Sequence, residues 1–251
     1  MGIINSFDLS TWQWVWVIIS AFLVGFSKTG ISAFMMPVIP ILAGVFGGKE
    51  STGVILPLLL IGDTFALYYY NRHADWKNIR KLLPWTFIGL ILGVVVGNFI
   101  NDKQFKMVIS ISVLLCLFTL IYSERKGESL KIPKNKWFYA LAGIVTGFTS
   151  MIGNAAGPIF SIYLLAMNFK KNNFMGTTAW FFFLVNLSKV PLQVLVWHNI
   201  SFKTIFLVFG MVPAIAIGAL LGMLMIKRID EKNFRYVIIV VTGIAAVRLL
   251  M

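Results

Sequence analysis

Three ionisable side chains stand away from the charged loops of this chain: Lys28, Asp63 and Lys189. Each lies in or beside a long apolar run. A charge held at bilayer depth costs roughly 2.5–3.5 kcal/mol on insertion scales, so a residue kept there needs a local reason. Lys189 is the strongest candidate for chemistry. It follows Asn186 by three positions, which puts both on one helix face, and Pro191 loosens the backbone just beyond. A lysine is a compact point charge suited to attracting an anion; the competing reading is a structural ion pair or a side chain that snorkels to the interface. Asp63 holds in the first half of the chain the place that Asn186 holds in the second, and it is the candidate coupling residue. A carboxylate well inside a span can relay a proton, bind a cation or neutralise a lysine.

Two breaks supply the remaining candidates. The run Gly147-Phe148-Thr149-Ser150-Met151-Ile152-Gly153-Asn154-Ala155-Ala156-Gly157-Pro158 interrupts apolar sequence with glycine and proline, and Ser27-Lys28-Thr29-Gly30 does the same earlier. In lipid, broken backbone must find partners in protein or along a water-lined cavity. A helix starting near Gly157-Pro158 would aim free N–H groups and a positive dipole end into the break, and a first-turn proline needs no donor there. Ser27, Lys28, Thr149, Ser150, Asn154 and Gly157 are therefore expected to line an anion site with Asn186 and Lys189. The alternatives are a helix kink satisfied internally and, for Lys28, a plain turn at the membrane surface.

The elements that must hold these groups are membrane helices. The 251 residues are 59% hydrophobic and only 12% charged, and the mean hydropathy is +0.86, far from soluble averages. At roughly 20 apolar residues per crossing the chain has room for about eight to ten helices. No soluble domain fits beside them, because the longest polar stretch is Ser123 to Lys136. The lone cysteine, Cys116, excludes a disulfide framework and a cysteine metal site. No basic region precedes Trp12 and no small-residue cleavage site follows, so the first helix is expected to be retained. A net charge of +13 would suggest nucleic acid in a soluble protein. Here the basic residues collect in alternate loops: Arg72, Lys77, Arg80 and Lys81; Arg125, Lys126, Lys131, Lys134 and Lys136; Lys170 and Lys171; Lys227, Arg228, Lys232 and Arg235. That is the positive-inside pattern, which places these loops in the cytoplasm near anionic lipid. His73 and His198 lie at span ends without metal-ligand spacing, and no nucleophile–base pair or nucleotide loop appears, so neither an enzyme nor a cofactor is expected.

Ten apolar elements can be marked, at about 11–26, 31–47, 51–71, 82–100, 104–122, 137–149, 155–169, 174–197, 203–226 and 234–250. The first, second, sixth and seventh are short: each is a tilted crossing, or each pair is a re-entrant hairpin. Either way the basic loops share one side and both termini lie outside, with Trp12, Trp14 and Trp16 near the outer interface or packed inside. The halves repeat. Gly25-Phe26-Ser27 through Pro37 matches Gly147-Phe148-Thr149 through Pro158; Gly53 and Asp63 match Gly176 and Asn186; Pro84 with Gly89, Gly93 and Gly97 matches Pro213 with Gly218 and Gly222; Asp102-Lys103-Gln104-Phe105 is echoed by Asp230-Glu231-Lys232-Asn233-Phe234. Repeat one covers about 11–122, a cytoplasmic linker about 123–136 and repeat two about 137–250. Each half holds an odd number of crossings, so the second is inverted. Inverted repeats with short, Gly/Pro-interrupted segments are a recurring build of secondary transporters, with substrate at the repeat interface.

These residues also resemble a known family, the sulfite exporter TauE/SafE family. The resemblance rests on Gly25-Phe26-Ser27 and its break, Ile61-Gly62-Asp63, Asp75-Trp76 and the Pro84 to Gly97 pattern. In the second half it rests on Gly157-Pro158, Tyr163-Leu164-Leu165, Gly176-Thr177 and Asn186-Leu187-Ser188-Lys189-Val190-Pro191. Lys28-Thr29-Gly30-Ile31 and Asn154-Ala155-Ala156 stand where the family more often carries glycines. The resemblance implies two related halves and export of sulfite or organosulfonate anions. The expectation is therefore an all-α integral membrane protein of two inverted repeats, in the cell membrane, moving a small anion by alternating access. A channel-like anion pore and a non-transporting scaffold are the alternatives. Its partners are the anion and membrane lipids, without nucleic acid, and a homodimer is left open.

Overall fold

The computed structural model describes residues 9–30, 32–126, 136–166 and 171–225, with positions 244 and 247. Helices dominate: α1 (Thr11–Thr29), α2 (Met35–Phe46), α3 (Gly48–Tyr70), α4 (Trp76–Phe99), α5 (Asp102–Lys126), α6 (Lys136–Gly153), α7 (Gly157–Ala166), α8 (Lys171–Leu195) and α9 (Phe202–Met225). Short 3-10 turns cover Ser32–Phe34 and Asn71–His73, and no strand occurs among the described residues. The expected element at about 234–250 and most of the 123–136 linker fall outside the described residues, as do Lys131, Lys134, Lys170, Lys227, Arg228, Lys232 and Arg235.

Four helices among the described residues are long and apolar enough to cross a membrane: Gly48–Tyr70, Trp76–Phe99, Asn173–Leu195 and Phe202–Leu224. By contrast α2 and α7, at 12 and 10 residues, fall well short. At 1.5 Å per residue they reach only about 18 and 15 Å, against a hydrocarbon core of about 30 Å. Helix starts are capped where the chain meets polar surroundings. Ser10 and Gln13 form a capping box on α1, and Asn101 and Gln104 exchange two 2.9 Å bonds at the start of α5. Asp75 accepts the Asn78 N–H at 3.0 Å to start α4, and Asp102 accepts the Gly48 N–H at 2.6 Å to start α3.

The breaks are tighter than the sequence suggests. α1 runs on to Thr29, and α6 runs through Gly147 to Gly153, leaving only Asn154-Ala155-Ala156 outside helix. Gly147 is therefore no part of a break. A Cβ there would lie 2.1 Å from the Thr86 carbonyl oxygen, so its role is close approach of α6 to α4. The matching Gly25 meets α9 in the same way, 2.0 Å from the Ile215 carbonyl oxygen. Reciprocally, Gly89 faces the Ile144 carbonyl and Gly218 faces the Phe22 carbonyl, each at 2.1 Å from an added Cβ.

These contacts also fix direction. Along the α4–α6 seam Gly143 meets Leu82 and Trp85, and Gly93 meets Met151, so both helices advance together and run parallel. The α1–α9 seam is parallel for the same reason, from Gly25 against Ile215 to Gly222 against Thr29, whose hydroxyl donates to the Ala219 carbonyl at 2.7 Å. α3 and α8 are antiparallel: Gly53 packs on Asn199, Asp63 meets Asn186, and Gly176 packs on His73. Apolar cores fill the space on both flanks. Val17, Leu42, Ile55, Leu58 and Ile215 gather in one, and Leu90, Phe105, Phe160, Tyr163 and Phe181 in the other. Large apolar side chains such as Ile91, Phe99 and Leu220 point outward, as a lipid-facing surface requires.

Candidate functional site

A cavity with about 730 Å³ of empty space opens between α1, α3, α8 and the α6–α7 break. Ser27, Lys28, Asp63, Ser150, Asn154, Gly157 and Asn186 all line it, together with Gly30, Ser32, Ala66, Thr178 and Phe182. Seven of the sequence-derived site residues thus share one cavity, although they are separated by up to 159 positions (from 27 to 186). Thr149 is not on the wall. Its hydroxyl turns back to the Val145 carbonyl at 2.7 Å, as a threonine inside a helix commonly does.

Lys28 is the cation at the cavity. Its ammonium lies 2.6 Å from Asp63 Oδ1, with 14% of the side chain exposed, and sits 5.4 Å from the centre of the Phe182 ring. Gly62 makes this reach possible, because a Cβ there would come within 3.0 Å of Lys28 Cγ. Asp63 is buried, and its second oxygen accepts the Asn186 amide at 2.7 Å. Of the three uses open to Asp63, the observed contact is neutralisation of a lysine. The two matched positions of the halves, Asp63 and Asn186, therefore touch each other at the middle of the antiparallel α3–α8 pair.

Lys189 differs from its expected place. It is 0% exposed and stands behind the cavity wall. Its ammonium donates to the Ser150 carbonyl at 3.1 Å, the Ser150 hydroxyl at 3.3 Å and Asn154 Oδ1. The reason is the end of α6. Asn154 adopts a left-handed φ of 52°, which asparagine tolerates, and the turn brings its side-chain oxygen to the lysine beside the Ser150 carbonyl and hydroxyl. A helix C-terminus carries partial negative charge, so it holds a cation without a carboxylate. Ser150 and Asn154 then form the layer between Lys189 and the cavity. Gly157 begins α7 on the cavity wall, and the first-turn N–H groups of α7 precede its first internal bond, Phe160 N–H to the Ala156 carbonyl at 3.0 Å.

The sulfite exporter TauE/SafE family profile matches residues 10–249, nearly the whole chain. The chain belongs to the sulfite exporter TauE/SafE family. Membership makes it a membrane protein of a transporter family. No curated protein and no solved structure matches the chain. Sequence reasoning missed Ser32, Thr178 and Phe182 on the cavity wall. Thr178 and Phe182 precede Asn186 at four-residue steps on the same face, which is the signal that would have found them.

Proposed function

We propose that the protein is a secondary transporter that exports small anions across the cell membrane, sulfite or an organosulfonate, by alternating access. The observation that carries this reading is the partly exposed Lys28 side chain in the cavity between α1, α3, α8 and the α6–α7 break. Around it stand the hydroxyl and amide groups of Ser27, Ser150, Asn154 and Asn186 and the start of α7 at Gly157, with the Ser27 hydroxyl donating to the Val24 carbonyl and the Asn186 amide to Asp63 until an anion takes their place. Such a set replaces an anion's hydration shell with a fixed charge, dipoles and hydrogen bonds, which act most strongly where water is excluded. Lys189 adds positive potential from behind the wall. With Asp63 as the carboxylate between two lysines, the site favours an anion. The identity of that anion as a sulfur oxyanion rests on the family.

Two inverted repeats are the framework of this reading. Support comes from paired contacts that exchange when Gly25 is matched to Gly147 and Gly218 to Gly89: α1 packs on α9 as α6 packs on α4, carbonyl for carbonyl. Asp63 and Asn186, matched to each other, meet where a two-fold axis would pass.

Proteoliposomes carrying the purified protein decide the matter. Uptake of radiolabelled sulfite, sulfoacetate, taurine and sulfate is measured with and without an opposing gradient. Accumulation of one sulfur oxyanion against its gradient is the expected result. Flux only down a gradient would make the protein a pore, and no flux of any of the four would remove the transport reading.

A further inference from the structure

One face of α8 changes character halfway along. Phe174, Thr178, Phe182 and Asn186, four residues apart, line the cavity. The same face continues through Lys189 and Gln193, and both are 0% exposed. Gln193 is the oddity. Neither its Nε2 nor its Oε1 finds a hydrogen-bond partner among the described residues, and Asn154 Nδ2, beside Lys189, finds none either. A buried amide without partners is a standing cost, heavier in a bundle whose surroundings are lipid. A leucine of similar size would fill the place without it. Groups left dry and unpaired in one state are explained if another state supplies their partner.

The matched positions in the first half of the chain lie differently. Asn186, Lys189 and Gln193 match Asp63, Ala66 and Tyr70 on α3 at a constant offset. On α3 the stripe reaches the cavity at Asp63 and Ala66, and Tyr70, half-buried, donates to the Thr29 carbonyl at 2.9 Å. On α8 only Asn186 of the matched stripe reaches it, and Lys189 and Gln193 do not. The antiparallel register sets Gln193 level with the α3 residues between Gly53 and Asp63, toward the end opposite Phe174 and Met175 at the cavity's other reach. We infer that Lys189 and Gln193, behind the Ser150–Asn154 layer whose Asn154 amide borders both sides, form the far half of the anion's path, closed in this structure, with Gln193 as a hydrogen-bonding station for a small oxyanion. This rests on the transporter reading. Nε2 of Gln193 and Nδ2 of Asn154 are free donors, which is what the oxygens of such an anion accept.

The test places single cysteines in the full chain in a Cys116→Ala background, at Thr178→Cys and at Gln193→Cys. An impermeant maleimide is applied to intact cells and to inside-out vesicles. The Thr178→Cys thiol is expected to react from one side only and the Gln193→Cys thiol from the other only. Reaction of Gln193→Cys from the Thr178 side, or from neither side, overturns the inference. A second variant, Gln193→Leu, is expected to fold and to bind sulfoacetate from the cavity side as the wild type does, while flux falls about tenfold for a lost station. Wild-type flux in Gln193→Leu also overturns it. Should no anion be transported by the wild type, the transporter reading fails, and sided labelling still decides whether a far path exists.

Discussion

Lys28 and Lys189 are both lysines in the bundle, yet their surroundings assign them different work. Lys28 faces the cavity paired with the Asp63 carboxylate, which on the transport reading an anion would displace, whereas Lys189 is locked among neutral oxygens at the end of α6. Lys28→Met should therefore abolish anion-induced thermal stabilisation, and it leaves Asp63 buried without its cation, at a cost of about 3–5 kcal/mol. Adding Asp63→Asn should restore stability without restoring binding; recovery of anion binding in the double variant would show that Lys28 is not the grip. Lys189→Ala strands Ser150 and Asn154 oxygens, which costs about 1–3 kcal/mol, so its melting temperature should drop while residual anion binding remains. Asp63→Asn alone removes the internal competitor and should tighten anion binding, each tenfold gain being about 1.4 kcal/mol. If Asp63 couples transport to protons, the same change should disconnect flux from a pH gradient. Unchanged pH dependence of flux in that variant rules out Asp63 as the coupling residue. The sequence made all three ionisable groups visible, because charge in apolar runs is rare. It ranked Lys189 above Lys28, whereas the structure wets Lys28, because whether a lysine is wetted depends on where the neighbouring helix ends. Asn154 sets that, and its left-handed turn leaves no mark that spacing could reveal.

At the scale of elements, glycine does most of the positioning. Gly25, Gly89, Gly147 and Gly218 each press on a carbonyl oxygen of the neighbouring helix, so any side chain there must separate the pair. Gly25→Ala and Gly147→Ala should destabilise the purified protein by similar amounts, about 1–3 kcal/mol each, read as a fall in melting temperature in detergent. Gly44→Ala and Gly210→Ala serve as controls, since a Cβ at either has no described atom within 4 Å. Their helix propensity alone predicts a gain of up to about 1 kcal/mol. Equal melting temperatures for all four variants would remove close approach as the reason for these glycines. In the sequence Gly147 reads as the opening of a helix break and not as the packing residue that its position against Thr86 makes it. Both uses draw on the same residue type among apolar neighbours, and only the partner helix tells them apart.

At the scale of the molecule, the helix directions carry a topology. The starts of α4 and α6 lie together because those helices are parallel, and the start of α9 lies at the opposite end because α3 and α8 are antiparallel. Arg72, Lys77, Arg80, Lys81 and Lys136 thereby fall at one end of the bundle. Lys49, Lys103, Lys106 and Lys203 fall at the other, where Asp102 pairs with Lys106 at 2.9 Å. The positive-inside rule predicts that the end carrying Arg72, Lys77, Arg80, Lys81 and Lys136 faces the cytoplasm. Cysteines replacing Lys77 and Lys136 in a Cys116→Ala background should then be shielded from an impermeant thiol reagent in intact cells. Those replacing Lys103 and Lys203 should react, and in inside-out vesicles the two classes should change places. An inverted pair of repeats needs this exchange, since it puts the start of α4 and the start of its match, α9, on opposite faces. Labelling of Lys77→Cys and Lys203→Cys from the same face would mean that the halves are not inverted. Labelling of Lys77→Cys from outside with Lys203→Cys protected would keep the inversion and reverse the orientation. Either result would be read from two positions.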